Sequence, residues 1–168
     1  MKFLKKWLRL ELIVIVVIGL AALGGQYMNA YYEDKEEMET FLDEYYNQVL
    51  LTSSSASYVL SNTDDPEQLE KGIDELAKRI DKLDTLLSTG HTYVDDHISV
   101  KGFAESVELQ EVENSTPSES QLNNIENLKK AMDHIAGELR SDDPARDNKT
   151  VSVETFNDIL SEGIDYLL

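Results

Sequence analysis

The chain has 168 residues, no cysteine, and a formal net charge of −18 from 15 basic and 33 acidic residues. Without cysteine there is no disulfide, no thiolate nucleophile and no cysteine-ligated zinc. An acidic surface of this size repels nucleic acid and anionic lipid, so nucleic-acid binding is excluded as a function class.

The charge is divided along the chain. Lys2, Lys5, Lys6 and Arg9 all lie in the first nine residues, a basic N-terminal segment over 1–9, with Glu11 shortly after. Setting these five aside leaves 11 basic against 32 acidic residues, a net charge of −21 for the remainder. From Leu12 to Tyr32 no residue is charged, and the run opens Leu12-Ile13-Val14-Ile15-Val16-Val17-Ile18. A helix rising about 1.5 Å per residue places Trp7 and Tyr27 about 30 Å apart, the thickness of a hydrocarbon core, with an amphipathic ring at each interface. The reading is a transmembrane helix over 10–32, with Leu12, Ile15 and Ile18 in the apolar core. Since the basic residues precede it, the N-terminus is expected in the cytoplasm and residues 33–168 outside it, as a single-pass protein of the cell membrane. Cleavage as a signal peptide after Ala22-Leu23-Gly24 is the alternative. Ala21 and Gly25 form a small-x-x-x-small pair, a candidate helix-packing face for a homodimer. The segment Leu10-Glu11-Leu12-Ile13-Val14-Ile15-Val16-Val17 resembles the N-terminal helix of type IV pilins and pseudopilins, which carry a glutamate early in an apolar helix. The likeness covers eight residues, and where those families have a glycine before the processed residue this chain has Lys6 before Trp7.

Beyond the apolar run, no Gly or Pro interrupts Gln26 to Leu60. Met38, Leu42, Tyr45, Val49, Thr52, Ala56 and Val59 step by three and four, which predicts a helix with a coiled-coil-like seam, ending at Ser61-Asn62-Thr63-Asp64. Asp65-Pro66-Glu67-Gln68 is a start signal: Asp65 accepts from the orphan amides, Pro66 needs no donor in the first turn, and Gln68 completes a capping box. The seam of this second helix is Leu69, Ile73, Leu76, Ile80, Leu83 and Leu87, and Ser88-Thr89-Gly90 stops it.

Residues 91–113 mix alternating and helical spacing in Tyr93, Val94, Ile98, Val100, Val107 and Leu109, and fit either a short hairpin or a broken helix. A partly helical connector is expected, because a lone hairpin needs other structure to pack on. Thr116-Pro117-Ser118-Glu119 predicts a third helix capped by Thr116, with Ile125, Leu128, Met132, Ile135 and Leu139 as seam. It should end near Arg140. A polar loop follows over 141–150, then Ser152 caps a last helix carrying Val153, Phe156, Leu160, Ile164 and Leu167. Four amphipathic helices of this length are marginal alone in water and must bury their seams together. The fold class is therefore all-α, an antiparallel bundle of about four helices outside the membrane.

Chemistry has few candidates. His91, Asp95, Asp96 and His97 are the cluster with metal-ligand character, since His91 and Asp95 share a face if the segment is helical. Ordinarily such a cluster is a solvated loop, and no third histidine is near, so no metal is expected. His134 stands alone on a helix. Thr52-Ser53-Ser54-Ser55 supplies hydroxyls without a nucleophile elbow or a His/Asp partner, so a small-residue helix face explains it better. Asn114-Ser115-Thr116 and Asn148-Lys149-Thr150 match the N-glycosylation pattern. No phosphate loop, zinc motif or catalytic constellation appears, and no enzyme activity or cofactor is expected. The expected function is a membrane-anchored module binding another membrane or envelope protein. A ligand sensor acting through a partner, or a pilin-like envelope component, are the alternatives.

Overall fold

The structure, a computed structural model, describes residues 34–95, 98, 103–104, 117–143 and 146–167. Two compact units divide the chain, Met1–Glu39 and Thr40–Leu168. In the first, the described residues 34–39 are helical, and Lys35 Nζ lies 3.9 Å from Glu39 Oε1. The expected membrane helix over 10–32 lies outside the described residues; among the described residues no helix is long and apolar enough to cross a membrane.

Among the described residues the protein is all-helical. The described residues hold four longer helices, α1 (34–61), α2 (Pro66–Thr89), α3 (Glu119–Leu139) and α4 (Val153–Ile164), the last closed by a 3-10 turn, Asp165–Leu167, and residues 98 and 104 are helical as well. Every seam position expected on α2 and α3, and on α1 from Leu42 onward, is buried, including Tyr45, Leu76, Met132 and Ile135 at 0% exposure. That burial holds the helices together, at about 1.5–3 kcal/mol for each large apolar side chain before the chain's entropy is subtracted.

Local chemistry sets the helix starts. Asp65, in extended conformation, accepts from Glu67 N at 3.1 Å and Gln68 N at 3.2 Å. Gln68 departs from the expected box: its Oε1 accepts from the Tyr58 hydroxyl across the α1–α2 turn. On α3 the cap is Ser118, two residues later than expected. Ser118 Oγ accepts from Gln121 N at 3.2 Å while Gln121 Oε1 accepts from Ser118 N at 2.8 Å, a reciprocal box that leaves Pro117 buried ahead of it. Ser152 caps α4 as expected, accepting from Thr155 N at 3.2 Å. The α4 seam is shifted. Val153 is exposed in the first turn and Ile164 and Leu167 are half-buried, while Ile159 and Asn157 turn inward with Phe156 and Leu160.

Gly90 ends α2 with φ −80, outside the left-handed region, so its role is spatial and not conformational. A Cβ there would stand 2.7 Å from Phe41 Cζ and 3.0 Å from Leu86 O.

Helix order follows from paired contacts. Tyr58 meets Gln68, Gln48 Nε2 donates to Arg79 O at 3.1 Å, Lys82 Nζ lies 3.6 Å from Glu44 Oε1, and Phe41 faces Gly90, so α1 and α2 run antiparallel. The α3–α4 pair is antiparallel too: just ahead of α4, Lys149 N donates to Leu139 O at the end of α3, whereas Gly163 near the end of α4 meets Ile135 and Ala131, further back on α3. Across the connector the up-and-down order changes. Ser53 on α1 bonds Asp133 of α3, whereas Asn47, earlier on α1, shares a groove with Arg140 beyond the α3 end. Both α2 and α3 therefore run toward the Phe41 end of α1. Where described, that connector is turn and helix, with Val94, Ile98 and Phe103 buried.

Phe41, Tyr45, Tyr93 and Phe156 pack ring on ring at this end of the core. Phe156 meets Tyr45 edge-on at 5.2 Å and Phe41 at 5.7 Å, geometries that aromatic quadrupoles favour. Tyr93 brings the connector to Phe41 at 5.4 Å.

Candidate binding groove

A groove of about 690 Å³ opens between the middle of α1 and the loop from α3 to α4. Tyr46, Asn47 and Leu50 form its α1 wall; Arg140, Asp142, Asp143, Arg146 and Asp147 come from the loop side. Residues 141–150 were expected as a plain polar loop. Instead the loop folds back on itself: Arg140 bridges Asn148, Lys149 N donates to Leu139 O at 2.6 Å, and Arg146 N donates to Asp143 O at 3.0 Å. Arg146 Nη1 donates to Thr150 Oγ1 at 3.1 Å. The loop thus presents two guanidinium groups and three carboxylates from a backbone with its own hydrogen bonds, opposite a tyrosine and a leucine. Such a wall can recognise a polypeptide segment carrying both charge signs and an apolar side chain.

Two polar clamps lie near the aromatic end, the first on a buried asparagine and the second on a half-buried aspartate. Asn157 Nδ2 donates to Tyr93 O at 3.0 Å and Val153 O at 2.8 Å, while its Oδ1 accepts from Asp95 N at 2.8 Å, tying the connector to α4. The Asp84 carboxylate accepts from Phe103 N at 2.6 Å and Ala104 N at 2.9 Å, fixing the connector to α2. Between them Tyr45 is fully buried, and its hydroxyl has no hydrogen-bond partner among the described residues. Desolvation, with the Asp84 charge adding to it, raises the Tyr45 phenol well above its ordinary range.

The sequence candidates occupy scattered places. Trp7, Leu12, Ile15, Ile18, Ala21, Gly25 and Tyr27 lie outside the described residues, as do Asp96 and His97. His91 and Asp95 are exposed on the turn after α2, where Asp95 is engaged through its backbone amide. Among the described residues no group of three or more His, Asp or Glu side chains is placed to hold a metal. His134 Nε2 lies 3.3 Å from Glu162 Oε2, and its ring stands 5.4 Å from Tyr166, bracing α3 on α4. Of the hydroxyl run, Thr52 Oγ1 donates to Gln48 O at 2.8 Å within α1. Ser53 Oγ donates to Asp133 Oδ1 at 2.5 Å, and Lys129 Nζ reaches the other carboxylate oxygen at 2.5 Å. Burial pushes the Asp133 carboxyl up, but hydrogen bonds from Lys129 and Ser53 and the Lys129 charge outweigh it and hold the group below its usual range. This triplet is a tether between α1 and α3, with the serine donating its proton to a carboxylate. Asn148 of the second glycosylation pattern is buried.

Neither the groove nor the two clamps is visible in the sequence, because each joins residues far apart in the chain. Asn157 carried one signal, a polar residue next to Phe156 in an apolar stretch. Compared with protein-family models, with curated proteins and with solved structures, the chain matches none of them.

Proposed function

We propose that the chain is a single-span membrane-anchored module whose acidic helical bundle stands outside the cytoplasm and binds another membrane or envelope protein. The groove between α1 and the 140–147 loop carries this reading, because it sets Tyr46 and Leu50 opposite Arg140 and Arg146. Aromatic and arginine side chains are those enriched where proteins bind each other. The uncharged run Leu12–Tyr32, with all its nearby basic residues on the N-terminal side, supports the anchor and its direction. Affinity capture of the full-length protein from gently crosslinked membranes should return one reproducible companion, and Arg140→Glu should deplete it. Recovery of the same proteins from wild type and R140E alike would reject the groove. Protease added to intact cells should digest residues 33–168; protection until lysis would reject the orientation.

Ligand sensing through a partner is the second reading, favoured by the groove's volume, which falls in the range of small-molecule sites, about 300–1,000 Å³. A thermal shift with one member of a small-molecule panel, abolished by R140E, would move the assignment there.

A further inference from the structure

The groove between α1 and the 140–147 loop holds charges that the protein leaves unpaired. Among the described residues neither Arg140 nor Arg146 lies in an ion pair, although Asp142 and Asp147 line the same groove. The other described arginine, Arg79, lies 2.5 Å from Glu75. The loop fixes both groove arginines. Arg140 is bridged to Asn148, and Arg146 is held through its amide, 3.0 Å from Asp143 O, and through Nη1, 3.1 Å from Thr150 Oγ1. Each guanidinium keeps further N–H donors for a ligand. On the opposite wall Leu50 is 43% exposed, an aliphatic side chain left uncovered. We infer that the groove takes a compact zwitterion with an aliphatic side chain, either a free α-amino acid or a short peptide with both termini free.

Each simpler ligand answers only part of this wall. An inorganic anion suits the guanidiniums but meets carboxylates beside them, in a chain of net charge −18. An organic cation suits the carboxylates, which are common across this acidic chain, and the two guanidiniums oppose it here. A metal ion has no place, since among the described residues no group of three or more His, Asp or Glu side chains is set to hold one. A neutral apolar molecule would cover charged groups and pair none of them, and burying unpaired charge is costly. A zwitterion satisfies both signs at once: its carboxylate matches the planar donor fork of a guanidinium, and its ammonium suits Asp142 or Asp147. With zero net charge it is not repelled by the chain's acidic field, nor drawn to carboxylates elsewhere as a cation is. The aliphatic side chain then lies on Leu50. The volume, about 690 Å³, is in the range of small-molecule sites.

This ligand class rests on the ligand-sensing reading of the groove. Full-length protein in mild non-ionic detergent is titrated calorimetrically with L-leucine and leucyl-leucine, which carry both charges, and with leucinamide, a cation, and N-acetyl-leucine, an anion. At least one of the first two should bind saturably and at least about ten-fold tighter than either singly charged probe, because each of those loses one charge-assisted pair. The tighter zwitterion tells a free amino acid from a peptide. Arg140→Glu should weaken that binding at least about ten-fold with an unchanged helical circular-dichroism spectrum. The comparison of probes is made on the wild type and decides the matter even if R140E does not fold. Saturable binding of neither zwitterion, equal binding of all the probes, or zwitterion binding indifferent to a folded R140E would each overturn the proposal. If both zwitterions fail while another small molecule gives an R140E-sensitive shift, this ligand class falls and the sensing reading stands; if they fail and an R140E-sensitive companion is captured, the class falls and the protein-binding reading stands.

Discussion

Gly163 and Gly137 offer one substitution in two settings, and the close approach of α3 and α4 predicts opposite signs. A Cβ on Gly163 would lie 2.6 Å from both Cδ1 and Cγ1 of Ile135, whose side chain is wholly buried. Overpacking of this kind costs about 1–3 kcal/mol, and alanine's better helix propensity returns up to about 1 kcal/mol, less near a helix end. Gly163→Ala should therefore destabilise by about 1–2 kcal/mol. Gly137 sits on the exposed side of α3 with nothing within 4 Å of its would-be Cβ, so Gly137→Ala should stabilise by up to about 1 kcal/mol. At about 3–5 °C per kcal/mol for a domain of this size, the two variants should melt roughly 5–10 °C apart. Thermal and urea unfolding followed by circular dichroism, with unchanged urea slopes, would measure this. A shift of the same sign in both variants would show that helix propensity governs and that α3 and α4 are not in van der Waals contact at Gly163.

Tyr45→Phe removes a buried hydroxyl that has no partner, so the variant should be about 1 kcal/mol more stable than the wild type, read as a higher melting temperature. A loss of stability would mean the hydroxyl is bonded. Asn157→Ala takes the Asn157 side-chain partner from the Asp95 amide and from Tyr93 O and should cost about 1–3 kcal/mol, with faster hydrogen exchange at the Asp95 amide; unchanged exchange there would contradict the clamp. Asp133 has a folded pKa below its ordinary 3.8, so its contribution to stability is present above about pH 4 and is lost as pH falls through the folded value. Asp133→Asn should flatten the acid limb of a stability-against-pH curve; identical limbs in D133N and wild type would refute the tether.

Helix identity and seam membership are legible in the sequence because both are local. A period of three and four places Leu69, Leu76, Leu83 and Leu87 on one side of a helix whatever that helix meets, and Asp65-Pro66 and Ser152 satisfy orphan amides within their own first turns. The α3 cap falls on Ser118, which closes a reciprocal box with Gln121, although Thr116 with Glu119 three positions on offers the same pattern in sequence. Gly90 reads as a conformational stop because sequence shows only that a glycine is present. Its reason, the Phe41 ring, comes from the opposite end of the hairpin.

Sequence alone determined that four apolar seams exist, where most of them begin and end, and that nearly all basic charge near the apolar run precedes it. Tertiary structure decided which seams meet and in which direction. It brought α3 alongside α1 through Ser53 and Asp133, buried Phe103 under an Asp84 clamp, and opened a groove at Arg140. The physical reason is range: periodicity and capping are satisfied within a few residues, whereas pairing of helices rests on shape and hydrogen bonds between side chains that the chain order keeps far apart.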